Sequence, residues 1–303
     1  MFEIENDKKM AGKKALLILM ALLLCAALAG CFLIGRLYER RKAPVEPEVP
    51  MSEAVLHESF PLLAATRADH ETDSSGAQVV DLSKQGEELL ITEGGSLILR
   101  GKMKGRIRIS SEEQTVHLFL TGVEVTAKEG PAIFVESAGK VIITLAEETE
   151  NRLSDSGDYR QETEAEACIY SAGDLTINGG GSLAVNGFFK DGIRSRNVIK
   201  IMDGEISIRC KRSGIHGTDG IHIAGGKLDI SSEKNGLRTT KSGSNGRGNL
   251  IISGGDHRII AGRHAFLVGR GDLYIYDCSV YEKSVIGAWD VGGNTFVQSG
   301  CVQ

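Results

Sequence analysis

One short phrase recurs through the second half of the chain and constrains the fold more than any other feature. It reads ACIYSAGDLTI at 167–177, DGIRSRNVIKI at 191–201 and SGIHGTDGIHI at 213–223. It returns as HAFLVGRGDLYI at 264–275 and IGAWDVGGNTFV at 286–297, with a glycine- and serine-rich version from Asn235 to Ile252. The third residue of the phrase gives Ile169, Ile193, Ile215 and then Leu237, spaced by 24, 22 and 22 positions. A period in the low twenties that contains strands rather than helices belongs to a solenoid.

Each unit carries three apolar bursts. In the unit starting at Ser213 they are Ile215, then Ile221 and Ile223, then Leu228 and Ile230. The pairs have period two, so alternate side chains point to one side of a strand. Most are β-branched, which favours strands over helix. Glycine turns at Asp203-Gly204, Gly225-Gly226 and Gly254-Gly255 separate the second burst from the third. Three short strands and tight turns make one coil of a single-stranded parallel β-helix. Stacked coils place Ile133, Ile169, Ile193, Ile215, Leu237 and Phe266 in one interior ladder, each contributing roughly 1.5–3 kcal/mol on burial. A β-sandwich also has recurrent turns, but its adjacent strands have no reason to share a motif. Leu89–Leu99 and Ile107–Val125 continue the pattern less regularly, and the charged stretch Glu147–Glu166 reads as a surface loop. His257 falls where Leu228 stood one coil earlier, which suggests a register slip, and Ser242–Gly248 reads as a loop.

The chain divides into a tail at 1–14, an apolar stretch at 15–35, a linker and cap at 36–75, and the solenoid at 76–303. Ala15–Gly35 has no charged residue and is long enough to cross a bilayer as a helix. Lysines precede it and arginines follow it, so charge does not set its orientation. Leu28-Ala29-Gly30-Cys31 also fits a lipoprotein signal with Cys31 as the lipidated residue, although the apolar run continues past the cysteine. A signal anchor, a lipoprotein and a cleaved signal all place the solenoid outside the cytoplasm. Pro44, Pro47 and Pro50 make the linker semi-extended, and Val55–Leu63 reads as a short helix or an N-terminal cap.

The formal net charge of −5 has no basic tail behind it, which argues against a nucleic-acid partner. Cys168, Cys210, Cys278 and Cys301 show no metal-motif spacing. Cys278 and Cys301 fall at one corner of adjacent coils, as a disulfide or as two buried thiols. The chain stops partway through a coil at Gln303, so either something else covers the last coil or the protein associates through that end.

The stretch from Pro131 to Tyr159, followed by CIYSAGDLTINGGGSL and KDGIRSRN, resembles the carbohydrate-binding β-helix domains of bacterial cell-surface proteins, which are similar in fold to pectate lyases. ITEGGSLILRGKMKGRIRI at 91–109 resembles the entry coil of that family. The resemblance spans about residues 78–285. It implies an all-β protein, a right-handed parallel β-helix displayed outside the cell; the apolar stretch 15–35 adds one preceding transmembrane helix as a single-pass anchor. It implies binding of a polysaccharide, either acidic sugars or cellulose, with Ca²⁺ at the surface. It does not imply catalysis, because one fold hosts many chemistries. The family's aspartate before Gly-Ile is kept at Asp191, but Ser213, Asn235 and His264 replace it in later coils. Asp191 with Asp174, Asp203 or Asp219 is the candidate Ca²⁺ set, and Asx-turns at coil corners explain the same residues without metal.

The residue after each interior isoleucine should face outward. That slot reads Phe134, Tyr170, Arg194, His216, Arg238, Leu267 and Trp289. Arginines suit carboxylates, and Tyr170 and Trp289 offer rings to sugars. Lys190, Lys211, Arg212 and Lys234 add positive potential just before the strands. The candidate binding residues are therefore Tyr170, Lys190, Arg194, His216, Arg238 and Trp289, with no catalytic residue assigned. A pectate-lyase-like enzyme, with His216 or an arginine as base, and a ligand-free spacer are the alternatives.

Overall fold

Strand pairing follows the repeat unit for unit. The computed structural model describes residues 44–45, 52–157, 159, 165–242 and 246–303. The apolar stretch 15–35, with Cys25 and Cys31, and most of the proline-rich linker lie outside the described residues. Among the described residues no helix is long and apolar enough to cross a membrane.

The described strands form two sheets, of sixteen and nine strands, and every pairing is parallel. In the regular coils each strand pairs with the third strand before and the third after it. Asp191–Ser195, Val198–Ile201 and Glu205–Cys210 make one coil and pair with Ser213–Gly217, Gly220–Ile223 and Lys227–Ser232 of the next. The first strand of each coil joins the nine-stranded sheet, while the second and third join two wings of the larger one. The wings meet at the long strand Thr115–Thr126. Its first half pairs with Lys140–Leu145 and its second half with Glu150–Ser154.

The interior ladder is in register from Ile107 through Ile133, Ile169, Ile193, Ile215 and Leu237 to Phe266, and all seven are fully buried. The glycines before Ile193 and Ile215 are sterically required. A Cβ at Gly192 would stand 2.3 Å from Ile208 Cγ2, and one at Gly214 2.4 Å from Ile230 Cγ2. Ala265 takes this place two coils after Gly214.

Several expectations need correction. Glu150–Ser154, inside the stretch read as a loop, is a strand of the large sheet. It carries one inward apolar residue, Leu153, beside buried Asn151, so its period-two signal is weak. His257 pairs directly with Leu228, so the register does not slip there. Its Nε2 lies 2.8 Å from the carbonyl of Gly254, which lets an imidazole occupy a buried slot.

Residues 52–71 do not cap the first coil. Glu53–Ser59 is a helix with Ser52 as its N-cap, and the segment lies on the outward side of the second-strand wing. Leu56, Leu63 and Ala64 pack with Val198, Ile251 and Tyr276. Fully buried Asp69 pins the segment. It accepts hydrogen bonds from Thr66 N (2.8 Å) and Thr176 Oγ1 (2.5 Å), and it pairs with Lys140 (2.5 Å) and Lys200 (3.4 Å). Lys200 also donates to the carbonyl of Ala64 (2.6 Å), and His222 Nδ1–H to that of Leu63 (2.9 Å). Val45 forms a parallel bridge with Phe296 of the last coil, and Val302 forms one with Val280. Val45 and Val302 thus each pair with an outermost strand of the large sheet, Thr295–Val297 and Ser279–Ser284.

Candidate functional site

The outward row of the nine-stranded sheet is the structural counterpart of the residues singled out by the repeat. Arg108, Phe134, Tyr170, Arg194, His216, Arg238 and Leu267 stand in direct register on successive coils. The next residue in the row is Asp290, not Trp289, which pairs with Phe266 and packs half-buried against the core. The last phrase is offset by one residue: its Val291-Gly292 matches Val268-Gly269, and that shared dipeptide is the signal that sets the register.

A second row lies one corner earlier. Glu166, Lys190, Arg212, Lys234 and Arg263 each immediately precede a strand of this sheet. Glu166 is the lone acid of the row and acts as its hub. It pairs with Lys190, with Arg194 (3.1 Å) and with Arg212 (2.8 Å). Burial alone would raise the Glu166 carboxyl, but hydrogen bonds from Lys190 and Arg212 bring it below its ordinary value. An acid aligned with four cations is the signal in the repeat that points to it.

Asp191 is fully buried. It accepts two hydrogen bonds from Arg212, Nε to Oδ1 and Nη2 to Oδ2, both at 2.7 Å, and a third from Ser213 N at 2.9 Å. His216 Nδ1 lies 3.3 Å from Oδ2 of Asp191, and its Nε2 lies 3.4 Å from Thr240 Oγ1. A carboxylate only accepts, so Nδ1 carries the proton and Nε2 accepts from the threonine. Burial opposes the charged form of Asp191, yet its donors hold the carboxyl down at about 2. Burial lowers His216 below its ordinary value against the pull of Asp191, which keeps the ring neutral at pH 7.

Arg238 differs from its neighbours. Its side chain makes no hydrogen bond or ion pair with another described residue, and its Nε is buried without a partner among them. Burial, opposed by the attraction of Asp191, lowers its pKa. Three more buried polar atoms close by on this sheet lack partners: Nε of Arg194, Oγ of Ser213 and Oδ1 of Asn235. Unsatisfied buried polar atoms are uncommon and call for an explanation. Lys234 and Arg263 are exposed and make no ion pair among the described residues. A polar cavity of about 530 Å³ opens at the following corner, lined by Glu166, Arg194, Arg196, Asn197, Thr218 and Lys241.

Tyr170 keeps its place in the row but is only 4% exposed, packed with Ala165 and Ala167 and tilted against Phe134 at 5.9 Å between centroids. It forms a wall of the site rather than an open platform. The four aspartates do not assemble. Asp191 is neutralised by Arg212, Asp174 accepts from Val198 N, Asp203 accepts from Gly204 N, and Asp219 faces Lys241 (3.2 Å) and Arg247 (3.6 Å). Among the described residues no group of three metal-ligating side chains exists. A hard cation wants several oxygen ligands, and these residues do not fit Ca²⁺.

The fold and this polar face define a class: an all-β protein of stacked, parallel-paired coils with a cation-rich sheet face. Residues 85–280 match the family described as carbohydrate-binding domain-containing protein, and the chain belongs to that family. A carbohydrate-binding domain-containing protein of Acetivibrio thermocellus is 36% identical over 146 residues, covering 46% of this chain and 51% of the relative. The chain thus spans about half the length of that curated relative. Among solved structures, a polysaccharide lyase-like protein from C. thermocellum, studied as a gadolinium derivative, is similar with a TM-score of 0.71 at 29% identity. The match covers 74% of this chain and 97% of that one.

Proposed function

We propose that the chain is a noncatalytic polysaccharide-binding protein, wound as a right-handed parallel β-helix, that receives an acidic polymer on the outward face of its nine-stranded sheet. The observation that carries this reading is Arg238, a half-buried guanidinium whose side chain has no hydrogen-bond or ion-pair partner among the described residues, in register with Arg194 and His216. On the coils from Glu166 to Arg263 the two rows carry six cations (Lys190, Arg194, Arg212, Lys234, Arg238 and Arg263) and one acid, Glu166, with buried Asp191 beside them. Of the six, Lys234, Arg238 and Arg263 make no ion pair among the described residues. Guanidinium forks match carboxylates in two-bond geometry, and coils about 4.8 Å apart repeat the contact along a polymer. We further propose that residues 15–35 anchor the chain in the cell membrane with the coils outside; the uninterrupted apolar run supports an anchor, and lipidation at Cys31 is its alternative.

The test is retention of the full-length chain on immobilised polygalacturonate. Retention should be strong for the wild type and reduced at least tenfold in Arg238→Ala. Equal retention of the two proteins would remove the basis of the reading. A lyase is favoured by one observation, the Asp191–His216 pair standing beside Arg238. A neutral imidazole oriented by a carboxylate is a suitable base. Accumulation of unsaturated products from polygalacturonate, followed by ultraviolet absorbance and abolished in His216→Ala, would establish that reading instead.

A further inference from the structure

The third-strand wing of the large sheet carries a separate trough that the acidic-polymer reading does not use. It has a volume of about 560 Å³ and crosses the strands from Gly95–Lys104 to Lys227–Ser232. Six parallel strands about 4.8 Å apart span roughly 24 Å. One outward row runs Lys102, Glu124, Arg152, Ala184, Ser207 and Asp229, in direct register. The row beside it runs Glu150, Ser182, Glu205 and Lys227. Small side chains at Ser182, Ala184 and Ser207 therefore make the floor, and long charged ones make both ends.

The trough is a built feature. The long strand Thr115–Thr126 bends where the register with its predecessor shifts between Leu99 and Gly101. Bulges of this kind re-aim a strand. Buried Asn151 stabilises the bend. Its Oδ1 accepts from Gly122 N (3.1 Å) and Val123 N (2.8 Å), and its Nδ2 donates to the carbonyl of Ser182 (3.0 Å). Gly122 takes φ +75°, and a Cβ there would meet nothing within 4 Å, so the space above it is open. The side chains of Glu150, Arg152, Glu205 and Lys227 make no hydrogen bond or ion pair with another described residue, although Glu205 and Lys227 are register partners.

We infer that this trough binds an uncharged polyhydroxylated chain, a neutral polysaccharide, at a site distinct from the cation-rich face. Three cations (Lys102, Arg152, Lys227) and four carboxylates (Glu124, Glu150, Glu205, Asp229) line it, so its charge nearly cancels. A polyanion gains little there. Neighbouring sugar hydroxyls donate to carboxylates and accept from guanidinium and ammonium groups, and alternating signs along the trough satisfy both halves of each hydroxyl. No aromatic side chain lines the trough, which disfavours an apolar peptide. The inference does not depend on the acidic-polymer reading, since no residue is shared.

The test is a double dissociation on the full-length chain, using hexasaccharides of glucose, xylose and mannose as neutral probes and polygalacturonate as the acidic one. Wild type should bind at least one neutral hexamer. Ala184→Arg, which fills the floor, should weaken that binding at least tenfold and leave polygalacturonate retention unchanged. Arg238→Ala should do the reverse. Arg152→Ala, at an exposed position, serves as a second variant if Ala184→Arg lowers the melting temperature. Absence of neutral binding in the wild type would overturn the inference. So would neutral binding that survives both trough variants, or that is lost in Arg238→Ala.

Discussion

Arg212 and Arg238 belong to neighbouring coils and have opposite employment. Arg212 is committed on both sides, with Asp191 at 2.7 Å and Glu166 at 2.8 Å, while Arg238 has no such partner. Removing one member of a buried ion pair leaves a bare charge and costs about 3–5 kcal/mol. Arg212→Ala should therefore lower stability by that order in chemical denaturation, whereas Arg238→Ala should leave it nearly unchanged and lose ligand. Finding the two variants equally destabilised would show that Arg238 is structural. His222 carries a pH prediction. Burial, against its bond to Leu63, lowers its pKa from 6.5 to about 4. The folded state then binds fewer protons than the unfolded one between those values, so stability is full above pH 6.5 and falls as pH drops toward 4. The window corresponds to about 3 kcal/mol. His222→Gln should flatten that part of the stability–pH curve; an unaltered slope would assign it to other groups.

At the scale of elements, the ladder and the covering segment are separate sources of stability. Ile215 is fully buried between Ile193 and Leu237. Ile215→Ala should cost about 2–5 kcal/mol, read from the denaturation midpoint. Asp69→Ala leaves Lys140 and Lys200 without their counter-ion, so residues 52–71 should lose amide-exchange protection while the strands of the nine-stranded sheet keep theirs. Uniform loss across the protein would mean that the covering segment and the coils open together. These two elements were unequally legible in the sequence. Ile169, Ile193 and Ile215 announce their stacking because coils that share a core share a phrase. Leu56, Leu63 and Asp69 repeat nothing, because each meets a different outward residue of the wing. Trp289 was placed one slot off because Ile286 resembles the ladder isoleucines, whereas the backbone aligns Gly287 with His264. The outward row was readable from spacing alone. Its partners were not, since Glu166 reaches Arg212 across 46 positions of chain.

Over the whole molecule the two polar faces differ in net charge and should differ in their response to salt. Exposed charges are screened within about 8 Å at physiological ionic strength. Retention on polygalacturonate should fall steeply as sodium chloride rises from 50 mM to 500 mM (both about an order-of-magnitude range around that condition), while binding of a neutral hexamer should change little. Parallel loss of both would point to one shared site.

The covering segment has a consequence for how the molecule is made. Leu63 meets His222, which lies 159 positions further on, and Val45 pairs with Phe296 near the other terminus. A ribosome delivers residues 44–71 before any surface exists to receive them. Each coil can settle on its predecessor as it emerges, but this earlier-made stretch must wait for the coils that carry Lys140, Thr176, Lys200 and His222. Its docking closes the longest loops in the protein and is the final clasp on an already wound spool.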